Sequence, residues 1–240
     1  MDLPSAADII ENRTLAMSER KQLVAYISPM AAFVALLGVI ALLHKIDNSI
    51  WLTAAEYWVY PVQTILCGVL LLWFWREYPL SRPRGVVFGL AIGILVFVLW
   101  ISPQTFFAFS PRTLGFNPTI FGNQSPLYWP TVILRFVRLV VVVPLVEEIF
   151  WRGFLLRYLI DENFDHVPFG TFSWLSFSVV TLAFGFSHSA SDWIAAILTG
   201  MLYNVVAYRT KNLSACVLTH ATTNLLLGLW IMQTKQWGFW

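Results

Sequence analysis

Charged residues are scarce in this 240-residue sequence: Asp, Glu, Lys and Arg make up only 12% of it, whereas 58% is hydrophobic. A soluble globular domain carries about 25% charged and about 45–50% apolar residues, so there is too little charge here to cover a water-facing surface. The net charge of +2 is also too small to indicate a nucleic-acid partner. The composition excludes an ordinary soluble domain and predicts that part of the surface faces lipid.

Cysteine is also scarce. Cys67 and Cys216 both lie in apolar runs, so we predict two buried thiols and no disulfide. The sequence has no CxxC pair and no HExxH motif, which are the strongest sequence signals of a zinc site. The first apolar run begins near Leu23, is about twenty residues long and lacks an A-x-A cleavage site, which predicts a retained span rather than a cleaved signal.

Long apolar runs recur along the chain, and each is near the ~20 residues that a helix needs to cross roughly 30 Å of hydrocarbon. They predict an all-α, polytopic transmembrane bundle of seven spans. The spans cover residues 23–44, 57–75, 85–102, 131–159, 171–188, 192–208 and 213–233. We expect one membrane domain in three parts: a polar N-terminal tail (1–22), a three-helix region with a long loop (23–129) and a C-terminal helical region (130–240).

Residues 103–130 form the one long stretch without a helical pattern. It is rich in proline and aromatic residues, namely Pro103, Pro111, Pro118, Pro126, Pro130, Phe106, Phe107, Phe109, Phe116, Phe121, Tyr128 and Trp129. A structureless loop of this length is uncommon in a compact fold unless it is functional or packed down. Because aromatic rings favour the headgroup level of a bilayer, we expect this segment to lie on the membrane surface.

Basic residues are distributed unevenly around the predicted spans. One side has the larger group, Arg13, Arg20, Lys21, Arg76, Arg82, Arg84, Arg152, Arg157, Arg209 and Lys211. The other side has Lys45, Arg112 and Lys235. The positive-inside rule therefore predicts a cytoplasmic N-terminus and an external C-terminus. Arg135 and Arg138 fall within the fourth span, and we expect both to snorkel toward its outer end.

Two adjacent carboxylates, Glu147 and Glu148, follow an apolar run in the fourth span. Neighbouring residues are about 100° apart around a helix, so the two side chains face different directions. Glu148 and Arg152 have the i, i+4 spacing of a same-face ion pair, which leaves Glu147 free for another role. A carboxylate inside an apolar bundle suits a general base that acts on water. An equally open interpretation makes both acids structural counter-ions of Arg152 and Arg157.

Histidine occurs in two further apolar spans. Phe184 and His188 are four residues apart at the end of the fifth span, and His220 and Asn224 have the same spacing in the seventh. Each pair therefore shares a helix face. Taken singly, a histidine at a helix end is more often a capping residue, and an intramembrane His–Asn pair more often holds two helices together. Together with the Glu pair, these motifs favour a catalytic site.

The order of the motifs carries a resemblance to a known family. Glu-Glu-x-x-x-Arg, then Phe-x-x-x-His, then His-x-x-x-Asn, each on its own apolar helix, resembles the signature of the CAAX protease and bacteriocin-processing family, which includes the type II CAAX prenyl endopeptidases. The resemblance covers residues from about 130 to 233. This region is also similar to the exosortase-associated branch of CAAX protease-related proteins. It marks 130–240 as the catalytic region.

The resemblance implies an intramembrane endopeptidase that attacks a peptide bond with water and forms no covalent intermediate. Its catalytic residues would be Glu147 and His188, which activate the water, and His220 and Asn224, which stabilise the oxyanion. Its supporting residues would be Glu148, Arg152 and Phe184. The substrate would be a membrane-associated peptide or protein, prenylated or not, and the enzyme a multi-pass protein of a bacterial inner membrane.

Metal dependence stays open at this point. Glu147, His188 and His220 could form a three-ligand catalytic zinc site, and the family has been described as metalloproteases. The absence of HExxH favours the metal-free version, so no cofactor is required, and a divalent metal such as zinc stays the alternative.

Two other function classes also stay open. One is a non-catalytic scaffold, immunity or chaperone factor of the same fold, and the other is a small transporter, which the nearly featureless first three spans disfavour.

One geometric expectation conflicts with the catalytic interpretation. At ~1.5 Å per residue, His220 lies ~14 Å from its loop, whereas Glu147 and His188 lie ~20–24 Å from theirs, which leaves a gap of several ångströms. Tyr203 and Asn204 are interpreted mainly as packing residues, and Asp192 as an anion in the first turn of a helix.

Overall fold

The computed structural model describes residues 6–46, 49–107, 109–110, 112, 115–122 and 124–240. Over these residues the chain is all helical and has no strand, which confirms the predicted fold class. The α-helices are α1 (Ala6–Leu43), α2 (Ile50–Thr53), α3 (Glu56–Trp73), α4 (Val86–Phe106), α5 (Tyr128–Val137), α6 (Val143–Glu148), α7 (Leu156–Tyr158), α8 (Trp174–Phe186), α9 (Trp193–Thr210) and α10 (Leu213–Thr234). Short 3₁₀ turns cover Trp75–Glu77, Pro118–Phe121, Ala190–Asp192 and Trp237–Phe239.

Four helical segments are long and apolar enough to cross a membrane. They are Arg20–Leu43, Val86–Phe106, Ala190–Thr210 and Leu213–Thr234. The other three predicted spans also coincide with helical segments: α3, the run from α5 to α7, and α8. The polytopic helical architecture is therefore confirmed, and the count of seven spans stays a prediction.

The first helix joins the predicted tail to the first predicted span. Residues 6–22 are helical and continuous with the apolar part of α1, whereas residues 1–5 lie outside the described part of the chain. Pro29 lies inside α1, and its carbonyl oxygen accepts a hydrogen bond from the Cys67 thiol at 3.6 Å. Cys67 and Cys216 are both free and buried, as predicted.

Small residues let α4 pack closely against α10. A Cβ atom at Gly93 would lie 2.8 Å from the carbonyl oxygen of Thr219 and 2.9 Å from the Cβ of Thr222, so only glycine fits this approach. Thr223 then donates a hydrogen bond to the Gly93 carbonyl at 2.9 Å. Close backbone approach at small residues is typical of helix pairs in membranes. The contact fixes α4, from the N-terminal region, against the helix that carries His220 and Asn224.

The long loop is only partly buried in the bundle. Phe116 and Tyr128 are buried, in contrast to the prediction, whereas the other five aromatic side chains are exposed, as predicted: Phe106, Phe107, Phe109, Phe121 and Trp129. Helix α4 continues through Pro103 to Phe106, so the non-helical stretch starts later than expected. Phe116 is buried and stacks on Tyr57, with ring centroids 4.5 Å apart, and Tyr57 donates a hydrogen bond to the carbonyl of Asn117 at 2.8 Å. Phe116 finds an aromatic partner on α3, which explains why it does not lie on the membrane surface. Pro111 lies outside the described residues.

The run that carries the glutamate pair alternates between α and π geometry. Two π-helical segments, Arg138–Val142 and Ile149–Leu155, flank the short helix α6, which ends at Glu148. A π turn holds more residues per turn than an α turn and occurs frequently at functional sites. The π segments therefore shorten and rotate this run compared with the regular helix that the sequence predicts.

Candidate active site

The four residues predicted to be catalytic line one cavity. Glu147, His188, His220 and Asn224 all contribute to a cavity of about 450 Å³. Three helical elements that are distant in sequence supply them: α6, the end of α8, and α10. The helix face shared by His220 and Asn224 is turned toward the run from α5 to α7, where the two side chains contact Glu148 and Leu139. The structure thus brings the predicted set together, although the catalytic role of each member stays a prediction.

The two adjacent glutamates point in different directions, as predicted. Glu147 lines the cavity, whereas Glu148 is fully buried, with 0% of its surface exposed. Glu148 Oε1 accepts a hydrogen bond from Arg152 Nη1 at 3.1 Å and lies 2.9 Å from His220 Nδ1. The predicted i, i+4 ion pair is therefore confirmed, and the same carboxylate oxygen also binds a catalytic candidate.

Arg152 binds partners within the bundle through all three of its guanidinium nitrogens. Besides Glu148, its Nε donates to Asn204 Oδ1 at 3.1 Å, and its Nη2 donates to the carbonyl of Gly200 at 3.3 Å. Its guanidinium carbon lies 4.9 Å from the centre of the Phe184 ring. Asn204 is thus part of this buried network, while its neighbour Tyr203 lines the cavity. The network fixes the helix face from which Glu147 projects.

The sequence predicted that His220 lies several ångströms away from the level of Glu147 and His188 in the bundle. The position of His220 in the structure removes this mismatch. Its Nδ1 reaches Glu148 at 2.9 Å, so α10 and α6 meet at this level with no gap to close. The estimate from sequence assumed a regular α-helix, whereas the residues after Glu148 form a π segment with a different rise and rotation. An ionised carboxylate can only accept, so His220 Nδ1 carries the proton and Nε2 is left for the cavity.

His188 is oriented in a comparable way by a neutral partner. It follows the end of α8, and its Nδ1 lies 2.8 Å from the carbonyl oxygen of Phe184. A carbonyl oxygen can only accept, so Nδ1 is the donor and Nε2 of the neutral ring is an acceptor. The Phe184 ring packs against the imidazole, with centroids 4.9 Å apart. Phe184 thus supports His188 through both its backbone and its ring.

Asn224 is held by the first π segment. Its Nδ2 donates a hydrogen bond to the carbonyl of Leu139 at 2.8 Å, and both residues line the cavity. An amide nitrogen has two hydrogens and an amide oxygen has two lone pairs. One hydrogen is used on Leu139, and the second is available to a ligand.

Two arginines depart from the prediction. Arg135 and Arg138 do not snorkel; each is 6% exposed and lies inside the bundle, on the wall of the same cavity. The physical reason is a set of partners on α1 and α3. Arg138 Nε donates to Gln63 at 2.8 Å, and both guanidinium groups lie over the ring of Tyr60. Their i, i+3 spacing on an apolar span was a signal that both face the same way.

The sequence interpretation also missed the outer wall of the cavity. Arg112, from the long loop, forms an ion pair with Asp192 at the start of α9, and its guanidinium carbon lies 4.0 Å from the centre of the Phe239 ring. Burial lowers the pKa of Arg112, while Asp192 acts in the opposite direction. Asp192 is therefore an ion-pair partner as well as a first-turn anion. Trp100 of α4 lines the same cavity and donates from its indole nitrogen to Thr199 at 2.9 Å.

The residues present do not form a metal-ligand cluster. Within the part of the chain that the structure describes, no three His, Cys, Asp or Glu side chains are close enough together to hold an ion. A metalloprotease-like character therefore gains no support from the described residues, and both the metal-free version and the three-ligand zinc alternative of Glu147, His188 and His220 stay predictions.

Comparison with known proteins agrees with the motifs. Residues 129–226 match the family model described as type II CAAX prenyl endopeptidase Rce1-like, which confirms the resemblance over the segment that carries all four candidate residues. No curated protein and no solved structure matches the chain.

Proposed function

We propose that this integral membrane protein is an intramembrane endopeptidase that cleaves a membrane-associated substrate. Its residues 129–226 match the family model of the Rce1-like type II CAAX prenyl endopeptidases. CAAX-type intramembrane proteolysis is the general activity that the family implies. The observation that carries the finer proposal is the convergence of Glu147, His188, His220 and Asn224 on one cavity. Each of these side chains has a hydrogen-bonding group available there.

Glu147 and His188 activate the attacking water in this proposal. Glu147 is an acceptor on the cavity wall, and His188 presents Nε2 because its Nδ1 hydrogen is bonded to the Phe184 carbonyl. Two acceptors can orient one water molecule and remove its proton as the oxygen attacks the scissile carbonyl carbon. The same proton is then transferred to the leaving amine when the C–N bond breaks, so the residues return to their starting state.

His220 and Asn224 stabilise the oxyanion. His220 donates from Nδ1 to the Glu148 carboxylate, and as an imidazolium, which donates from both ring nitrogens, it directs Nε2 at the oxyanion. Asn224 supplies its second amide hydrogen, since the first is bonded to Leu139. Fixed donors directed at developing negative charge account for a large part of catalysis in many hydrolases. The contrast between a carboxylate partner for His220 and a carbonyl partner for His188 supports different roles for the two histidines.

The surroundings of the site support a substrate that arrives from the lipid. Val34 and Leu37 of α1 line the cavity and are 52% and 36% exposed, so apolar surface connects the site to the outside of the bundle. A peptide anchored in the bilayer can therefore reach Glu147 without crossing a polar surface. We also propose a bacterial inner membrane as the location, with a cytoplasmic N-terminus, on the basis of the positive-inside distribution.

Peptides that accumulate in cells lacking the activity test this proposal. Membrane peptides are compared by mass spectrometry between cells that express the wild type, Glu147→Ala, His188→Ala or His166→Ala. His166 is the matched control, because it is an exposed histidine on a loop outside the cavity. We expect the same peptides to accumulate uncleaved with Glu147→Ala and His188→Ala, and to be processed normally with His166→Ala.

The same experiment distinguishes a peptidase from a non-catalytic scaffold. If Glu147→Ala and His188→Ala are expressed at the wild-type level and the peptide profile is unchanged, the protein does not act through these residues. A scaffold of the same fold would give that result, because removing a base leaves the bundle and its surface intact.

A further inference from the structure

Trp100, a residue of α4, contacts the imidazole of His188 at the wall of the cavity. Both side chains line this cavity. The centroids of the two rings lie 5.6 Å apart, with an angle of 57° between their planes, which is a typical geometry for a pair of aromatic rings. Trp100 lies outside residues 129–226, the segment that matches the family model. The contact therefore connects the N-terminal region to a residue that is proposed to activate water.

A hydrogen bond fixes the position of the Trp100 ring. Its Nε1 donates to the hydroxyl oxygen of Thr199 on α9 at 2.9 Å. Thr199 is buried, and its own hydroxyl hydrogen is donated to the carbonyl of Ala195 at 2.8 Å. The hydroxyl of Thr199 thus has a defined direction, with a lone pair turned to the indole. Because the bond joins α4 to α9, the Trp100 ring has one place next to His188.

His188 requires support from other segments because it lies beyond the end of a helix. Helix α8 ends at Phe186, so regular helix geometry does not define the direction of the His188 side chain. Its two hydrogen-bond partners, the carbonyl of Phe184 at 2.8 Å and the hydroxyl of Ser187 at 3.4 Å, both lie at Nδ1. They fix one corner of the imidazole. The tilt of the ring plane is left to its contacts with the rings of Phe184 and Trp100.

We propose that Trp100 is a positioning residue for His188. Its ring keeps the imidazole in the orientation that places the Nδ1 hydrogen on the Phe184 carbonyl and turns Nε2 toward the cavity. The hydrogen bond at one ring nitrogen decides which tautomer is present, and only the Nδ1–H tautomer leaves Nε2 as an acceptor for water. The proposal rests on the proposed peptidase activity and adds a role for the N-terminal region in it.

The tautomer of His188 measures this positioning without any cleavage. The chain has only four histidines, so labelling the full-length protein with ¹⁵N-histidine gives few ring-nitrogen signals. Magic-angle-spinning NMR in phosphatidylcholine proteoliposomes distinguishes a ring nitrogen that carries hydrogen from one that does not. Mildly alkaline buffer favours neutral imidazole, and His188→Asn identifies the signals of this residue. We expect the wild type to show hydrogen on Nδ1 of His188 and none on Nε2.

Trp100→Leu should release His188 while the rest of the site stays intact. We expect both tautomers of His188 in this variant, because the imidazole is then free to turn away from the Phe184 carbonyl. His220, whose Nδ1 lies 2.9 Å from Glu148, should keep its wild-type signals. A general loss of structure would change the signals of both histidines, so His220 is an internal control for folding.

Two further variants separate the contact from the mere loss of an indole ring. Thr199→Val keeps the shape of that side chain but removes the acceptor of the Trp100 N–H, so it should change His188 in the same direction and to a smaller extent. Trp58→Leu is the matched control. The Trp58 indole also donates a hydrogen bond of 2.9 Å, to the carbonyl of Trp51, but it is not among the residues that line the cavity. It should leave the signals of His188 unchanged.

Steady-state kinetics on a peptide that the wild type cleaves measure the catalytic consequence. Trp100→Leu should lower kcat at least about tenfold, since misplacing a catalytic group by about 1 Å can cost about 100-fold. KM should change less than about twofold, because the contact acts on the catalytic group rather than on substrate binding. Trp100→Phe keeps an aromatic ring and should retain more of the activity than Trp100→Leu.

A folded Trp100→Leu variant with wild-type His188 signals would overturn the proposal, and this result is interpretable even if the protein cleaves no peptide. Mixed tautomers together with a wild-type kcat would overturn it too, because the orientation of His188 would then not matter for cleavage. A change in KM alone would assign Trp100 to substrate binding instead. If Trp100→Leu does not fold, Thr199→Val and Trp100→Phe decide by the same criteria.

Discussion

Replacing Arg152 by Met would remove the ion-pair partner of a fully buried carboxylate. Glu148 and Arg152 are both 0% exposed, with Oε1 and Nη1 3.1 Å apart. Methionine keeps much of the arginine volume, so packing changes little. Glu148 would then keep only the 2.9 Å contact to His220, and its Oε2 already has no hydrogen-bond partner among the described residues.

The expected loss is large, because breaking a buried ion pair leaves an uncompensated charge. Removing one partner of such a pair costs about 3–5 kcal/mol of unfolding free energy. Glu148→Gln should cost less, since the Arg152 donors keep Asn204 and Gly200. In the double variant no unpaired carboxylate is left, so its cost should be smaller than the sum of the single costs by about 0.5–3 kcal/mol.

Unfolding in mixed micelles at increasing dodecyl sulfate, followed by far-ultraviolet circular dichroism, measures this double-mutant cycle. Lys21→Met is the control, because the Lys21–Glu77 pair lies at the surface with 63% of the lysine side chain exposed; such pairs contribute about 0–1 kcal/mol. A loss in Arg152→Met no larger than in Lys21→Met, or a cycle that is additive within about 0.5 kcal/mol, would refute the role assigned to this network.

Three further predictions follow from the packing and the chemistry of the cavity. Gly93→Ala should lower stability by about 1–3 kcal/mol, because a Cβ there meets the backbone of α10; the matched Gly68→Ala, with nothing within 4 Å, should be neutral or slightly stabilising in the same unfolding assay. His220→Ala and Asn224→Ala should each lower kcat about 10²–10³-fold with a smaller change in KM, and a change confined to KM in steady-state kinetics would argue against an oxyanion hole. Exhaustive chelation should leave the cleavage rate of purified protein unchanged, and a loss that zinc restores would contradict the metal-free mechanism.

The helices and the site motifs could be predicted because the membrane imposes simple rules. Every backbone group in hydrocarbon must be paired within its own helix, so apolar runs become helices, and a spacing of four residues puts His220 and Asn224 on one face. The divergence of Glu147 and Glu148 follows from the same geometry. Local periodicity alone decides these features.

Contacts between distant segments could not be predicted in this way. The bond between Glu148 and His220 joins residues 72 positions apart and depends on how α10 packs against a run containing π segments, which no local pattern indicated. Arg138 was misjudged for a related reason: its partner Gln63 lies 75 positions away on α3. Phe116 is buried because it stacks on the ring of Tyr57. Composition alone predicts a position on the membrane surface for this residue.

The central claim is that Glu147 is the base for peptide hydrolysis, and one rate measurement tests it most directly. Purified wild-type protein and the isosteric Glu147→Gln variant are compared on a peptide that the wild type cleaves, with unfolding free energies measured in parallel. We expect the variant to be as stable as the wild type and to cleave at least about 100-fold more slowly, the lower end of what a general base contributes. A stable Glu147→Gln variant that cleaves at the wild-type rate would contradict it.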